Sequence, residues 1–227
     1  ASLYLNSKGG LFEDRIAASG LLSLTSEYTG WGGNFLDFDN DGDLDVFIAN
    51  GDPHYLKGMP PLLLENQGEG RFINASSKGG PFFQQKINAR GSGAFDLDND
   101  GRLDLVMTTL GERALVLRNV GPQQNHWLTL KLEGTRGNRD GLGSQVKVTA
   151  GGRTQTAEAR CPTSYVFQQD SRLHFGLAGA AQAERVEIRW SSGQTQVLTN
   201  VPANQVLPVR EPGESRWAGK GRRRGDL

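Results

Sequence analysis

Phe35-Leu36-Asp37-Phe38-Asp39-Asn40-Asp41-Gly42-Asp43-Leu44-Asp45 returns 59 residues later as Ala94-Phe95-Asp96-Leu97-Asp98-Asn99-Asp100-Gly101-Arg102-Leu103-Asp104. Both copies place acids at relative positions 1, 3, 5 and 9 and a glycine at 6, and each runs into an apolar segment, Val46-Phe47-Ile48-Ala49 or Leu105-Val106-Met107-Thr108. A flanking pair repeats as well: Asn6-Ser7-Lys8-Gly9-Gly10-Leu11-Phe12 matches Asn66-Gln67-Gly68-Glu69-Gly70-Arg71-Phe72 at a shift of 60. Leu115-Val116-Leu117-Arg118-Asn119 resembles Leu62-Leu63-Leu64-Glu65-Asn66 and opens a unit that is not completed. Short apolar runs between Gly, Asn and Asp turns, with no 3.6-residue period long enough for a three-turn helix, read as strands. A period of this length built from short strands is that of one propeller blade, and two periods plus a fragment cannot close a ring of about 4 to 8 blades. The expectation is a partial β-propeller over residues 1–121, the C-terminal portion of a longer propeller or one that closes with another copy.

The acid spacing has a chemical explanation. Calcium takes six to eight hard oxygen ligands, and alternate residues of a tight loop can turn their carboxylates onto one point, with Gly at position 6 allowing the sharp turn. The expected side-chain ligands are Asp37, Asp39, Asp41 and Asp45 with the Asp43 carbonyl, and Asp96, Asp98, Asp100 and Asp104 with the Arg102 carbonyl; Gly42 and Gly101 form the turns. Without a cation such crowded carboxylates repel, so that some protonate or the loop opens. The loops are not EF-hands, because position 12 is Ile48 or Met107 instead of Glu, and strand-like runs follow. The competing reading is a pair of plain Asx turns in exposed hairpins. Two Ca2+ sites are expected, the first the tighter, since Asp43 adds an acid where the second loop has Arg102.

The composition agrees with a turn-rich β protein. The 227 residues include 31 Gly, about twice the usual share, without a three-residue period, so collagen is excluded. The 25 basic and 25 acidic residues cancel, but 16 of the acids and only 10 of the bases lie in residues 1–121. No run approaches the ~18 apolar residues of a membrane span, and the opening Ala1-Ser2-Leu3 carries neither Met nor a signal-peptide pattern, which reads as a processed or excised chain. Cys161 is single and reads as a small buried thiol.

Residues 122–211 carry a different pattern, starting at Gly121-Pro122. Trp127–Leu132, Gln145–Ala150, Thr154–Ala159 and Arg185–Trp190 alternate apolar and polar residues, and Gly151-Gly152 and Ser192-Gly193 supply two-residue hairpin turns. A small antiparallel β-sandwich or barrel is expected. Arg139-Asp140 reads as part of an Asp-Gly turn, His126 and His174 as structural histidines beside aromatics, and His54 as part of a turn. No nucleophile elbow, phosphate loop or dinucleotide fingerprint occurs, and Gly91-Ser92-Gly93 is read as preceding a strand. Residues 212–227, with Arg222-Arg223-Arg224, are expected to be a basic disordered tail and not a nucleic-acid site.

At its acidic loops the chain resembles FG-GAP or VCBS repeats. Asn125-His126-Trp127-Leu128-Thr129-Leu130-Lys131-Leu132, Gly137-Asn138-Arg139-Asp140-Gly141-Leu142-Gly143-Ser144-Gln145-Val146, His174-Phe175-Gly176-Leu177 and Val186-Glu187-Ile188-Arg189-Trp190-Ser191-Ser192-Gly193 are similar to the ASPIC/UnbV domain. The pairing resembles the architecture of the cartilage acidic protein family and its bacterial relatives, with Ser191 and Ala178 departing from the family's Pro and Gly. The resemblance implies loops that bind calcium between blade strands. Together these readings give a non-enzymatic, secreted or cell-surface (extracellular or periplasmic) adhesion or interaction module with structural calcium. Its expected partner is a protein or glycan at the propeller rim, with no nucleic acid and no membrane span. The alternatives are an accessory protein or enzyme of a biosynthetic pathway, and a carbohydrate-binding propeller.

Overall fold

The computed structural model describes residues 1–7, 9–54, 57–160, 163–168 and 170–213; Cys161 and the Arg222–Arg224 run lie outside them. The fold is all-β. The described residues form two units, one running to Gln123 and also taking in residues 163–168 and 170, the other made of the rest.

In the first unit β1 (Tyr4–Asn6) pairs with β2 (Phe12–Asp14), and a short helix, α1 (Leu21–Thr25), follows. Strands β3 (Gly30–Leu36), β4 (Asp45–Asn50), β5 (Leu62–Asn66) and β6 (Phe72–Asn74) make a four-stranded antiparallel sheet in sequence order. Strands β7 (Ala89–Phe95), β8 (Asp104–Thr109) and β9 (Leu115–Leu117) make a three-stranded one. These are blade-like meanders. The duplicated segments fall on matching elements, β5–β6 repeating β1–β2 and β7–β8 repeating β3–β4, but the second sheet has only three strands and β1–β2 stands as a two-stranded pair.

All of β4 is buried, because both faces of its sheet are covered. Phe47 and Ala49 join Leu36 and Leu63 of their own sheet in a cluster with Ala89, Leu105 and Met107 of the second sheet. Val46 and Ile48 point the other way, into Leu21, Leu62, Leu64 and Phe72. A strand buried on both faces reads as a continuous apolar run instead of an alternation, which is the pattern after each acidic loop. Deleting the Phe47 ring would cost about 3–5 kcal/mol. Strands β3 and β7 lie side by side so closely that a Cβ on Gly32 would sit 2.7 Å from the Arg90 carbonyl oxygen.

The second unit is a sandwich. One sheet orders β15 (Leu173–Ala178), β10 (His126–Glu133) and β18 (Gln205–Arg210). The other orders β12 (Arg153–Glu158), β11 (Gln145–Ala150), β16 (Gln182–Arg189) and β17 (Thr195–Pro202). Leu128, Leu130, Val146, Val148, Phe175, Val186, Ile188 and Trp190 interdigitate between them. The alternating strands are where the sequence puts them, with one difference: β10 pairs with β18 in parallel, so this sheet is mixed. Gly151 and Gly152, both at positive φ, form a two-residue turn. The second turn differs from expectation. Trp190 N donates to Gln194 O and Gly193 N to Trp190 O, so Ser191-Ser192-Gly193 is a three-residue loop with Gly193 in the left-handed position.

Two short strands, β13 (Thr163–Ser164) and β14 (Phe167–Gln168), pair as a hairpin. Their sequence lies inside the segment expected to form the sandwich, but the hairpin packs on β3 and β7 of the first unit. Gly91-Ser92-Gly93 lies within β7, not before it.

Candidate metal centres

Each acidic loop leaves at the end of the first strand of its sheet and returns as the neighbouring strand, β3 to β4 and β7 to β8. The two loops repeat one backbone conformation. Asn40 and Asn99, at position 4, take φ 62 and 59, and Gly42 and Gly101 take φ 90 and 85. Asn tolerates this left-handed region and Gly favours it, which explains the residue types at those positions.

The hydrogen bonds repeat too. Asp37 accepts from Asp41 N at 3.1 Å and Gly42 N at 2.8 Å; Asp96 accepts from Asp100 N and Gly101 N, each at 3.0 Å. The ninth acid ties the loop to the strands beyond it: Asp45 accepts from Phe38 N at 3.2 Å and Asn66 N at 2.8 Å, Asp104 from Leu97 N at 3.3 Å and Asn119 N at 2.8 Å. Asp41 and Asp100 each accept from the amide two residues on, at 2.8 and 2.9 Å, as in Asx turns. The two loops are also joined, since Asn40 Nδ2 donates to Gly101 O at 2.8 Å.

Within this frame Asp37, Asp39 and Asp45 bring carboxylate oxygens within 4.8 Å of one another, and Asp96, Asp98 and Asp100 do the same. Opposite ligands of a calcium ion at about 2.3–2.6 Å each stand about 5 Å apart, so these separations fit one ion per loop. All the donors are hard oxygens, which suit calcium or magnesium and not zinc. Each carboxylate offers about four lone-pair sites, so the amide contacts leave capacity for an ion. Asp41 and Asp43 of the first loop, and Asp104 and Arg102 of the second, stand outside these groups of three.

Electrostatics at the first loop favour a cation. Burial, with Asp41, Asp45 and Asp39 adding to it, pushes the Asp37 carboxyl up to about 8 against the opposing Gly42 amide. Burial likewise pushes Asp45 up to about 7, despite donation from Asn66 and Phe38, and it raises Asp39 as well. A divalent ion would remove the repulsion that these shifts express. At the second loop, side-chain cations already compensate part of the charge: Arg118 pairs with Asp98 and Arg102 with Asp100. Arg102 Nε also donates to Asn119 O at 2.9 Å. The sequence reading gives Arg102 a ligating carbonyl and a charge that weakens the second site, and gives no role to Arg118, Asn40, Asn99 or the Asn119 amide; the in-register Asn at position 4 is the available signal.

The polar residues of the second unit hold its structure. Asn138 Oδ1 accepts from Asp140 N at 2.9 Å and Leu142 N at 3.2 Å, and Gly141 N donates to Asn138 O, so Arg139-Asp140 sits in a turn. His174 Nδ1 lies 2.8 Å from Thr129 Oγ1 with its ring stacked on Trp127, and His126 Nδ1 lies 2.8 Å from Asn204 Nδ2. In the first unit Asp52 accepts from His54 N, capping the turn that carries this histidine.

A model of the FG-GAP-like repeat matches residues 37–107, the span holding both loops, and a model of the ASPIC and UnbV domain matches residues 134–216. The two matches lie one after the other along the chain, the FG-GAP-like repeat first and the ASPIC and UnbV domain second. The chain is similar to cartilage acidic protein 1 of Xenopus tropicalis, 25% identical over 195 residues, and of Homo sapiens, 24% identical over 192 residues. These alignments cover 78% and 77% of this chain but 28% and 27% of the relatives, so the chain spans little more than a quarter of their length.

Proposed function

We propose that the chain is a calcium-dependent interaction module of an extracellular protein, in which one structural Ca2+ per acidic loop makes the blade rim rigid. The division into residues 1–121 and 122–211 belongs to this reading, with the repeat unit carrying the ions. The observation behind it is the duplicated cluster. Two loops 59 residues apart keep the same left-handed Asn and Gly, the same amide contacts and three convergent carboxylates. In the first loop Asp37, Asp39 and Asp45 would hold the ion; in the second, Asp96, Asp98 and Asp100. Asp41, Asp43, Asp104 and the Arg102 carbonyl would complete or support these sets. The ion supplies charge neutralisation and cross-links the strand ends.

Extracellular modules bind calcium at about 10⁻⁴ to 10⁻³ M, which matches a compartment with millimolar free calcium. Among the described residues no helix is long and apolar enough to cross a membrane. The FG-GAP-like and ASPIC/UnbV matches support a non-enzymatic interaction role; a protein or glycan bound at the rim is the partner this reading expects. The test is thermal melting with calcium, magnesium or chelator for the wild type, Asp39→Asn, Asp98→Asn and the double variant. Each single variant should keep part of the calcium-specific rise in Tm and the double variant none; an undiminished rise in the double variant would overturn the assignment.

A further inference from the structure

The β13–β14 hairpin is poorly built to stand by itself. It has two residue pairs, Thr163↔Gln168 and Ser164↔Phe167, and its turn is Tyr165-Val166. Val166 takes φ 48, a strained conformation for a β-branched residue, and neither turn residue has the chemistry that favours a tight hairpin. Isolated two-stranded hairpins are marginal in water.

The surface beneath supplies what the hairpin lacks. The Tyr165 ring lies against Trp31, centroids 5.1 Å apart, and Arg90 lies over Trp31 at 4.4 Å. The Phe167 ring meets Phe95 edge-on at 6.2 Å, and Ser92 N donates to Ser164 Oγ at 3.3 Å. Gly91, Gly93 and Phe95 share one face of β7 by the two-residue period of a strand. A Cβ on Gly91 would come within 2.4 Å of the Tyr165 carbonyl oxygen, and one on Gly93 within 2.7 Å of the Phe167 ring. Neither glycine has positive φ, so their role is to leave room. Ser92 is also bonded to Asn34, both buried, which joins β3 to β7 below the seat.

We propose that Trp31, Arg90, Gly91, Ser92, Gly93 and Phe95 form a docking site for a short peptide of pattern hydroxyl-aromatic-x-aromatic, and that Ser164-Tyr165-Val166-Phe167 is its resident occupant in cis. A partner segment with this pattern binds by displacing the hairpin. Tethering gives the resident segment an effective concentration on the order of millimolar, so a free peptide competes weakly with it and binds readily once its rings are removed. This inference stands independently of the metal reading.

The test uses a fluorescein-labelled peptide of residues 162–170 and the full chain in three forms: wild type, Tyr165→Ala/Phe167→Ala, and that double variant with Gly93→Val added. The peptide should bind the double variant saturably and at least tenfold more tightly than wild type, restoring slow exchange at the Ser92 amide; Gly93→Val should abolish binding. Binding to neither form, equal binding to both, or binding that survives Gly93→Val would each overturn the proposal. A single Gly93→Val chain gives a second reading that does not need the aromatic variants to fold. There the Phe167 amide, paired with Ser164 across the turn, should lose exchange protection while the β7–β8 ladder keeps it, and an amide that stayed protected would show that the seat does not hold the hairpin.

Discussion

Glu211 is the buried charge on which the second unit depends most directly. It is 2% exposed and follows β18. Its carboxylate accepts from Thr135 N at 2.6 Å, Arg136 N at 2.7 Å and Gly137 N at 3.4 Å, and from the hydroxyl of Ser192. One side chain thus fastens the end of β18 to the loop after β10 and to the turn between β16 and β17. Burial alone would raise its pKa, but the donors from Arg136, Ser192, Thr135 and Gly137 outweigh it and hold the carboxyl at about 2. In Glu211→Gln the amide oxygen can still accept from the two closest amides, but bonds to a charged acceptor at about 1.5–3 kcal/mol become neutral ones at about 0.5–1.5, a loss of about 2 kcal/mol over the pair. Glu211→Ala leaves the buried Thr135 amide without an acceptor at about 1–3 kcal/mol and the part-buried Arg136 amide at the low end of that range, about 3 kcal/mol together. Urea unfolding followed by fluorescence, with the buried Trp127 and Trp190 as reporters in this unit, measures both. The pH dependence has a fixed sign: the folded pKa lies below the ordinary 4.5, so the stabilisation is complete above that value and is lost as pH falls towards about 2. The gap between wild type and Glu211→Gln should therefore close on acidification. Equal stability at neutral pH, or a gap unchanged down to pH 2.5, would refute the reasoning.

The remaining expectations concern the loops. Because Asp37 and Asp45 titrate near 8 and 7, calcium competes with protons there, so apparent affinity should fall and proton release rise as pH drops from 8 to 6; titration calorimetry in two buffers of different ionisation enthalpy reads both. Arg118→Ala removes the cation paired with Asp98 and should tighten the second site several-fold without altering the first, as measured by the same titration. Asn40→Ala removes the bond to Gly101 O and puts Ala at φ 62, each costing about 1 kcal/mol, so first-unit stability should fall by about 2 kcal/mol in calcium-saturated urea unfolding.

What was legible in the sequence was local. The acid spacing, the glycine at position 6 and the repeat of 59 to 60 residues are short-range patterns, and the loops and blade-like sheets follow from them. So does the Gly151-Gly152 turn, whose residue types meet its positive φ values. What escaped was set by distant partners. The amide donors to Glu211 lie 74 to 76 residues away in sequence, and nothing in Arg210-Glu211-Pro212 marks it. The parallel pairing of β10 with β18 joins the two ends of the sandwich sequence. Gly91-Ser92-Gly93 reads as preceding a strand, but it lies within β7, and Gly91 and Gly93 are bare because the Tyr165–Phe167 segment lies against them. The three-residue loop at Ser191 to Gly193 shows the same limit, since its length is fixed by the Arg189↔Thr195 register.

The most direct test of the account is calorimetric titration of the full chain with calcium, with magnesium as control. Two calcium sites per chain are expected, the stronger lost in Asp39→Asn and the weaker in Asp98→Asn. No calcium-specific heat in the folded chain, or a stoichiometry unchanged by either substitution, would contradict it.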